Sequence, residues 1–419
     1  MTDASASYLG EFRASARPLA AAAIGSGSGL MVAAYTTSVF SPYLLRDFHW
    51  SKAQFSLIGL TMFSTLLVLP LIGRLTDRLG VRRMALAGAL LMPLGFVGYS
   101  LMTGAFWQLL AMSAWVLAAG SLTSPVVYCR LVAECFVKAR GLALFVVTGV
   151  PALVGAVLPR VLVWTNDHAG WRTGYRVLAA YFLVGGLFAV ALAPRHERGL
   201  DHGGERARAP GAADRQPAFR EILRQPAFWL IGGAILLCAL PTQLHASQMM
   251  LMLLDSGLDK PSAANAISAF ALGSILGRAG CGLALDRFPA PLVAAGAMML
   301  PAFGYLLIVS AHGAVPVVTA AMLLVGVSFG ADADIPSFLV ARYFRIEVFS
   351  SAMSLVYCAT LLGSALGALL MSATLARWGG FSPFLHLSAA AVAVGCVLFL
   401  FLPRRRVPGM RHLPQGEGA

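Results

Sequence analysis

The chain has 419 residues, of which 58% are hydrophobic and 12% are charged, and its mean hydropathy is +0.76. A soluble domain carries roughly a quarter charged residues, so this composition excludes an ordinary soluble protein and indicates that lipid is the natural solvent. The net charge of +13 does not indicate a nucleic-acid partner, because the basic residues are concentrated on one predicted side of a membrane.

Long apolar segments follow one another along the whole chain. A membrane-spanning helix needs about 20 mostly apolar residues, and the sequence divides into twelve such stretches. The predicted spans are 18–43, 53–73, 84–103, 106–131, 141–164, 173–194, 226–252, 262–285, 290–310, 315–340, 348–373 and 381–403. The runs are too continuous for the alternating pattern of a lipid-facing β-barrel. We therefore expect an all-α membrane protein, and we expect the first span to be retained and not cleaved as a signal peptide.

The Lys and Arg residues are distributed unevenly between the two predicted sides. With both termini in the cytoplasm, 22 lie on the inner side, 6 lie on the outer side, and Arg130, Arg160 and Arg278 fall within spans. The positive-inside rule therefore predicts a multi-pass protein of the cytoplasmic (inner) membrane with both termini inside. Residues 195–225 are predicted to link an N-terminal bundle (1–194) to a C-terminal bundle with a basic tail (226–419). The basic linker residues either only fix the orientation or also bind lipid head groups.

A short loop motif occurs twice. The spacing Gly-x-x-x-Asp-Arg begins at Gly73 and again at Gly282, 209 residues later. Such a repeat predicts two copies of a six-helix unit. The residues that we expect to form a conformational latch at these loops are Gly73, Asp77, Arg78, Arg82, Gly282, Asp286 and Arg287. Glycine lets helix ends approach closely, and Asp77 can cap a helix or pair with arginine. The alternative for the arginines is that they only set the topology.

The first copy of this motif resembles the signature loop of the major facilitator superfamily, and a degenerate second copy is typical of that family. The resemblance covers nearly the whole chain. It implies the major facilitator fold, in which two pseudo-symmetric six-helix bundles surround a central cavity. It also implies that substrate binds near the midplane and that the bundles rock to give alternating access.

Several shorter segments resemble the monocarboxylate transporter group and its bacterial relatives. They are Tyr35-Thr36-Thr37-Ser38-Val39-Phe40, Asp47-Phe48-His49-Trp50-Ser51, Arg140-Gly141-Leu142-Ala143, Gly170-Trp171-Arg172 and Gly277-Arg278. The resemblance implies that Arg278 binds a carboxylate. The animal members carry an aspartate where this chain has Ser274 and a lysine near Tyr35, so proton coupling by those groups cannot be carried over. Drug antiporters are disfavoured, because the span 106–131 lacks their arginine in mid-helix.

Arg278 is the clearest ionisable residue at membrane depth, where a charge costs about 2.5–3.5 kcal/mol on insertion scales. It precedes Asp286 by eight residues, which places it roughly 12 Å from the inner edge of the span. Its planar guanidinium matches a carboxylate with two parallel hydrogen bonds. We expect it to bind the substrate, and the alternative is a permanent bridge to an aspartate of the span 315–340.

Asp332 and Asp334 are the candidates for proton coupling. Residues two apart on a helix point about 200° apart, so only one of them should face a cavity squarely. One aspartate is expected to pair with Arg130 or Arg278 while the other takes up a proton. The alternative is a structural ion pair for both.

The remaining candidates have weaker signals. Polar or amphipathic side chains that would complete a substrate site, or instead bond to a neighbouring helix, are Tyr35, Tyr128, Gln243, His245 and Tyr357. Arg130 has Glu134 one turn on and favours a local pair, whereas Arg160 favours a gate or a head-group contact. The six cysteines are expected to be small buried hydrophobes, and Gly363-Ser364-Ala365-Leu366-Gly367 is expected to pack helices together.

These features predict a secondary active transporter that moves a small organic acid, most simply a monocarboxylate, together with a proton. The alternatives are another solute, such as an aromatic acid, a vitamin, a zwitterion or a drug, and export instead of import. The sequence contains no nucleotide-binding loop, and no set of residues indicates an enzyme, a cofactor or a metal site. The expected partners are the organic anion, protons and membrane lipids, and the chain is expected to act as a monomer.

Overall fold

The computed structural model describes residues 11–13, 15–64, 81–123, 128, 132, 136, 140–193, 222–332, 334–344 and 349–403. All regular secondary structure within these ranges is helical. Ten helical segments of the described chain are long and apolar enough to cross a membrane, and Pro226–Cys238 is a shorter apolar helix. The prediction of an all-α membrane protein is therefore confirmed.

We divide the described helices into an N-terminal half (residues 11–193) and a C-terminal half (residues 222–403). Those of the N-terminal half are α1 (Ala16–Gly27), α2 (Leu30–Thr36), α3 (Ser41–Phe48), α4 (Lys52–Ser56), α5 (Val81–Ser100), α6 (Phe106–Gly120), α7 (Arg140–Ala169) and α8 (Trp171–Leu192). Those of the C-terminal half are α9 (Pro226–Cys238), α10 (Met249–Asp255), α11 (Lys260–Arg287), α12 (Ala290–Ser310), α13 (Val315–Asp332), α14 (Ile335–Tyr343), α15 (Phe349–Trp378) and α16 (Ser382–Leu400). Most of the predicted linker, 195–221, lies outside the described residues, so the domain boundaries stay a prediction.

Some predicted spans are interrupted by residues that cannot continue a helix. Pro241 lacks an N–H group, and α9 ends at Cys238 before a π-helical turn, Leu244–Gln248, leads into α10. The span 315–340 is also broken, since α13 ends at Asp332 and α14 begins at Ile335 with a proline in its first turn. Asp332 is the last residue of α13 and Asp334 is the N-cap residue of α14, within a segment, Val315–Val340, that as a whole is long and apolar enough to cross a membrane.

Stacked aromatic rings form the core of the N-terminal half. The ring of Tyr175 on α8 stacks on Phe40 at 3.8 Å between centroids and on Tyr99 of α5 at 4.9 Å. Phe96 and Phe182 stack at 4.9 Å in the same cluster. These side chains are almost fully buried, so α5 and α8 are held together by large interlocking side chains.

Glycines bring helices of the C-terminal half into backbone contact. A Cβ atom on Gly277 of α11 would overlap the carbonyl oxygen of Val327 on α13. A Cβ atom on Gly363 of α15 would likewise overlap the carbonyl oxygen of Leu236 on α9. Small residues at such crossings let helix backbones touch in lipid. The prediction that Gly363 takes part in helix packing is confirmed.

The two halves meet along two main helix pairs. α7 of the N-terminal half packs against α11, and α4 packs against α15. The helix α2 also contacts the π-helical turn Leu244–Gln248. A cavity between the halves is bounded by α2, α7, α11 and α13, so side chains from both halves face it.

Candidate functional site

The cavity between the halves has a volume of about 190 Å³. The N-terminal half contributes mostly apolar groups, and the C-terminal half contributes the charged ones. The described residues that line it are Met31, Tyr35, Phe145, Thr148, Gly149, Pro151, Ala152, Ser274, Ile275, Arg278, Phe329, Gly330 and Asp332. Its mixture of apolar walls and a few polar groups is typical of a site for a small organic molecule.

The side chain of Arg278 on α11 contacts both halves of the protein. Its Nη1 atom donates a hydrogen bond of 3.3 Å to the main-chain carbonyl oxygen of Thr148 on α7. Its Nε atom lies 3.7 Å from Oδ2 of Asp334, which is too long for a hydrogen bond. That Nε atom is buried and has no hydrogen-bond acceptor among the described residues. The guanidinium therefore keeps an unused donor next to a loose ion pair, with 20% of its side chain exposed.

A neutral hydrogen bond joins the halves beside this arginine. The hydroxyl groups of Tyr35 on α2 and Ser274 on α11 lie 3.1 Å apart, and both side chains are buried. These are the two positions at which the sequence departs from the monocarboxylate transporter pattern. The Ser274 hydroxyl group also donates a hydrogen bond of 2.7 Å to the carbonyl oxygen of Ala271, so both hydroxyl groups are hydrogen bonded without a buried ion.

Aromatic rings make the wall of the cavity next to Tyr35. The ring of Tyr35 lies 6.0 Å from that of Phe270 and 6.4 Å from that of Phe329, which is in turn 5.2 Å from Phe270. Phe145 faces the same cavity from α7. Rings at such distances form a firm apolar surface, against which the non-polar part of a ligand would pack.

The two aspartates have different surroundings. Asp334 approaches Arg278, as the sequence allowed, but its side chain is 46% exposed. Asp332 lines the cavity, and no hydrogen bond or ion pair joins its carboxylate to another described residue. The break between α13 and α14 thus separates an arginine-paired carboxylate from an unpaired one.

Asp332 also lines a second, smaller space of about 30 Å³ inside the C-terminal half. We call it the inner chamber, and it lies between α9, α12, α13 and α16. The described residues that line it are Cys238, Pro241, Thr242, His245, Met298, Pro301, Tyr305, Val325, Ser328, Phe329, Asp332 and Val392. Nε2 of His245 and the hydroxyl group of Tyr305 on α12 are hydrogen bonded at 2.9 Å, and both side chains are buried.

Four of the predicted substrate residues, among them His245, do not line the cavity in the described structure. Tyr128 is buried in the N-terminal half against Gly25 of α1. Gln243 is buried and donates a hydrogen bond of 3.3 Å to Ser364 on α15. Tyr357 on α15 is 39% exposed. The structure thus brings together Arg278 and Tyr35 in the cavity and places His245 in the neighbouring chamber.

The loop motifs are only partly described. Gly73, Asp77 and Arg78 lie outside the described residues, as do Arg130 and Glu134, and the side chain of Asp286 is not described. Gly282 has open space around its Cα atom, and Arg287 is exposed. Arg82 is partly exposed. The latch therefore stays a prediction.

Polar contacts between the halves are concentrated at one end of the bundle, which we call the closed end. Lys52 Nζ lies 2.6 Å from Asp255 Oδ1, and Lys260 Nζ lies 2.5 Å from Asp167 Oδ1. Arg160 donates a hydrogen bond of 2.6 Å to Asn265 nearer the middle of the bundle. Neither ion pair could be predicted from the sequence, because the paired residues are far apart in the chain and belong to no motif.

Comparisons with known proteins give the family. The profile of the Major Facilitator Superfamily matches residues 22–331 and 255–418. The chain therefore belongs to the Major Facilitator Superfamily, and it is a transporter rather than an enzyme. A comparison with curated protein sequences found no significant match.

Solved transporter structures share this fold. A bacterial homologue of the human lysosomal transporter Spinster, inward-facing and occupied, has a TM-score of 0.69 at 16% identity over 95% of this chain and 99% of that chain. An inward-facing, unoccupied structure of such a homologue has a TM-score of 0.62 at 18% identity over 93% and 94%. A D-xylose-proton symporter has a TM-score of 0.68 at 15% identity over 95% and 99%. At these identities the likeness concerns the fold alone.

Proposed function

We propose that this transporter moves a small organic acid with a single carboxylate across the cytoplasmic membrane, and that a proton travels with it. The observation that carries the proposal is the incomplete pairing of Arg278 in a cavity shared by the two halves. Its buried Nε has no hydrogen-bond acceptor among the described residues, and its contact with Asp334 is loose. A carboxylate that accepts two parallel hydrogen bonds would complete this guanidinium.

The charges around the cavity favour one carboxylate over two. Arg278 is the one cationic side chain among the described residues that line it, whereas Asp332 faces the same space. A second carboxylate on the ligand would therefore find no cation to pair with in a region of low dielectric. Tyr35, Phe145 and Phe329 offer apolar surface to the remainder of the molecule. A compact monocarboxylate with an apolar body meets all of these conditions.

The same geometry suggests the state of the transporter. The positive-inside rule places Arg287, at the end of α11, on the inner side, and the closed end with Lys52 and Asp255 on the outer side. Polar contacts at the closed end then shut the outer side, and the cavity is reached from the inside.

A zwitterion is the second candidate substrate, and one observation favours it. Asp332 and Arg278 face the same cavity, so an ammonium group and a carboxylate of one ligand could each find an opposite charge. The two substrate classes differ in their need for Asp332. An amino acid would bind more weakly after Asp332→Asn, whereas a simple acid would still bind through Arg278.

The experiment is uptake of labelled monocarboxylates, dicarboxylates and amino acids into liposomes that contain the purified protein. Each solute is tested with and without an inward proton gradient. We expect one class of monocarboxylate to be taken up, with stimulation by the gradient, and we expect Arg278→Gln to abolish that uptake. Arg46→Gln is the matched control, because Arg46 is 73% exposed and far from the cavity lining.

Two results would overturn the assignment. Uptake of no acid would exclude the proposed substrate class. Equal uptake by wild type and Arg278→Gln would show that the arginine does not hold the substrate. Uptake restricted to amino acids would instead favour the zwitterion.

A further inference from the structure

We propose that the inner chamber is the holding site for the coupling proton, with Asp332 as the group that binds it and the His245–Tyr305 pair as its hydrogen-bonding partner through water. The inference rests on the proposed proton coupling and adds the place where the proton resides. It assigns the substrate and the proton to different side chains of the C-terminal half.

The first support is the position of Asp332. Asp332 lines both the cavity and the inner chamber, and no described residue forms a hydrogen bond or ion pair with its carboxylate. A charged carboxylate without a partner at membrane depth is costly, whereas the neutral acid is not. Asp334 approaches Arg278 instead. The arginine therefore holds one aspartate and leaves the other to exchange a proton with water in the cavity.

The second support is the size and lining of the inner chamber. A space of about 30 Å³ admits roughly one or two waters, which need two to four polar partners each. Asp332, Tyr305 and Thr242 supply such partners at its wall. A sodium ion would need more oxygen ligands, and much of the remaining wall is thioether, thiol and proline. The chamber therefore suits water and a proton better than a metal cation.

The third support is the local backbone at His245. The π-helical turn Leu244–Gln248 follows Pro241 and widens the helix at this point. Such turns are frequent at functional sites. The turn directs His245 to Tyr305, where its Nε2 is hydrogen bonded at 2.9 Å. A water at this pair would link the protonated acid to a second group that can accept or donate a proton.

Repulsion between the substrate carboxylate and the charged form of Asp332 would couple substrate binding to proton binding. A substrate carboxylate at Arg278 lies in the same cavity as Asp332, so the charged form of Asp332 is repelled while the neutral form is not. Substrate binding and proton binding therefore favour each other, and the effect is reciprocal. On release, Asp332 returns the proton to cavity water and the acid leaves as its anion. One O–H bond forms on loading and the same bond breaks on release.

Several titratable or charged groups surround Asp332 and would shape its response to pH. Arg278 faces it from α11 across the cavity, and Tyr305 faces it from α12. His245 and Cys238 line the chamber beside the end of α9. Asp334 lies at the start of α14, two residues along the chain.

The test compares two modes of transport in proteoliposomes. Gradient-driven accumulation needs the proton, whereas exchange of labelled for unlabelled substrate does not. We expect Asp332→Asn to lose accumulation and to keep exchange. Asp334→Asn is the matched comparison, and we expect it to keep accumulation even if its apparent affinity changes. The proposal would be overturned if Asp332→Asn still accumulated substrate. It would also be overturned if a sodium gradient, and not a proton gradient, drove accumulation by the wild type.

A second readout does not depend on the substrate. Infrared difference spectra recorded between high and low pH should contain a carboxylic acid C=O band that is absent in Asp332→Asn and present in Asp334→Asn. Tyr305→Phe removes one hydroxyl group, and we expect it to shift the frequency and the pH midpoint of that band. If wild type transports no acid but gives this band, the substrate assignment fails and the proton site stands. A band that persists in Asp332→Asn would refute the site.

Discussion

The two halves of the transporter contribute differently to the cavity. The N-terminal half supplies mostly apolar side chains, the neutral polar residues Tyr35 and Thr148, and one main-chain carbonyl acceptor. Its core consists of stacked aromatic rings such as Tyr175 on Phe40. The C-terminal half supplies Arg278 and Asp332, and its helices touch through glycines such as Gly277. If the substrate is the proposed organic anion, the C-terminal half would therefore hold it. When the halves separate, we expect the substrate to stay with that half.

The largest effect should come from changing the geometry of the arginine while keeping its charge. Arg278→Lys loses the planar fork, and a charged hydrogen bond is worth about 1.5–3 kcal/mol, or roughly 10- to 150-fold in apparent affinity. Phe145→Leu in the opposite wall should cost no more than about 1 kcal/mol. Substrate saturation curves for the two variants test this difference, and equal losses would contradict it.

The second effect concerns the glycine contact that aligns α11 with α13. Gly277→Ala places a methyl group on the carbonyl oxygen of Val327, and such overpacking costs about 1–3 kcal/mol. Gly280→Ala is the control on the same helix, since a Cβ atom there meets nothing within 4 Å. Thermal unfolding in detergent should show a lower Tm for Gly277→Ala alone. A similar decrease in Tm for both variants would show that the overlap with Val327 is not the cause of the destabilisation.

A smaller effect is expected at the neutral bond between the halves. Tyr35→Phe and Ser274→Ala each remove the same hydrogen bond, worth about 1 kcal/mol. The double variant should therefore match either single variant in the balance between cavity-accessible and cavity-closed states. Labelling of a cysteine introduced at Ala152, in a chain without its native cysteines, measures that balance. Additive effects would indicate that the two hydroxyl groups act separately.

The smallest effect is expected at the closed end. The pair of Lys52 and Asp255 is about 30% exposed on both sides, and exposed ion pairs are worth about 0.2–1 kcal/mol. Lys52→Met should shift the transporter slightly toward opening at this end, and high salt should reduce the shift. The labelling assay at Ala152 applies here too. If Lys52→Met shifted the balance more than Tyr35→Phe does, the ion pair would be the stronger contact between the halves, contrary to this prediction.

Sequence reasoning predicted the features that depend on residue type and regular spacing. Long apolar runs predicted the helices, because every backbone polar group must be satisfied within lipid. The cost of a charge at membrane depth selected Arg278 and Asp332 as candidates, and both line the cavity. The close packing at Gly363 followed from small residues four apart.

Other features could not be predicted, because they arise from long-range packing. Tyr35 and Ser274 are 239 residues apart in the chain, and nothing in either segment indicates their hydrogen bond. The break between α13 and α14 separates two aspartates that a continuous helix would have kept on one element. The partner of His245 is Tyr305, and only the packing of α12 identifies it.

The contact between Arg278 and the carbonyl oxygen of Thr148 has a consequence for how such a transporter diverges. Every amino acid carries that carbonyl group, so replacement of the side chain at position 148 leaves the acceptor in place. Sequence drift along α7 can therefore change the shape of the wall without deleting the anchor point for the arginine. New substrate preferences can accumulate on the N-terminal half while the contact that draws the halves together persists.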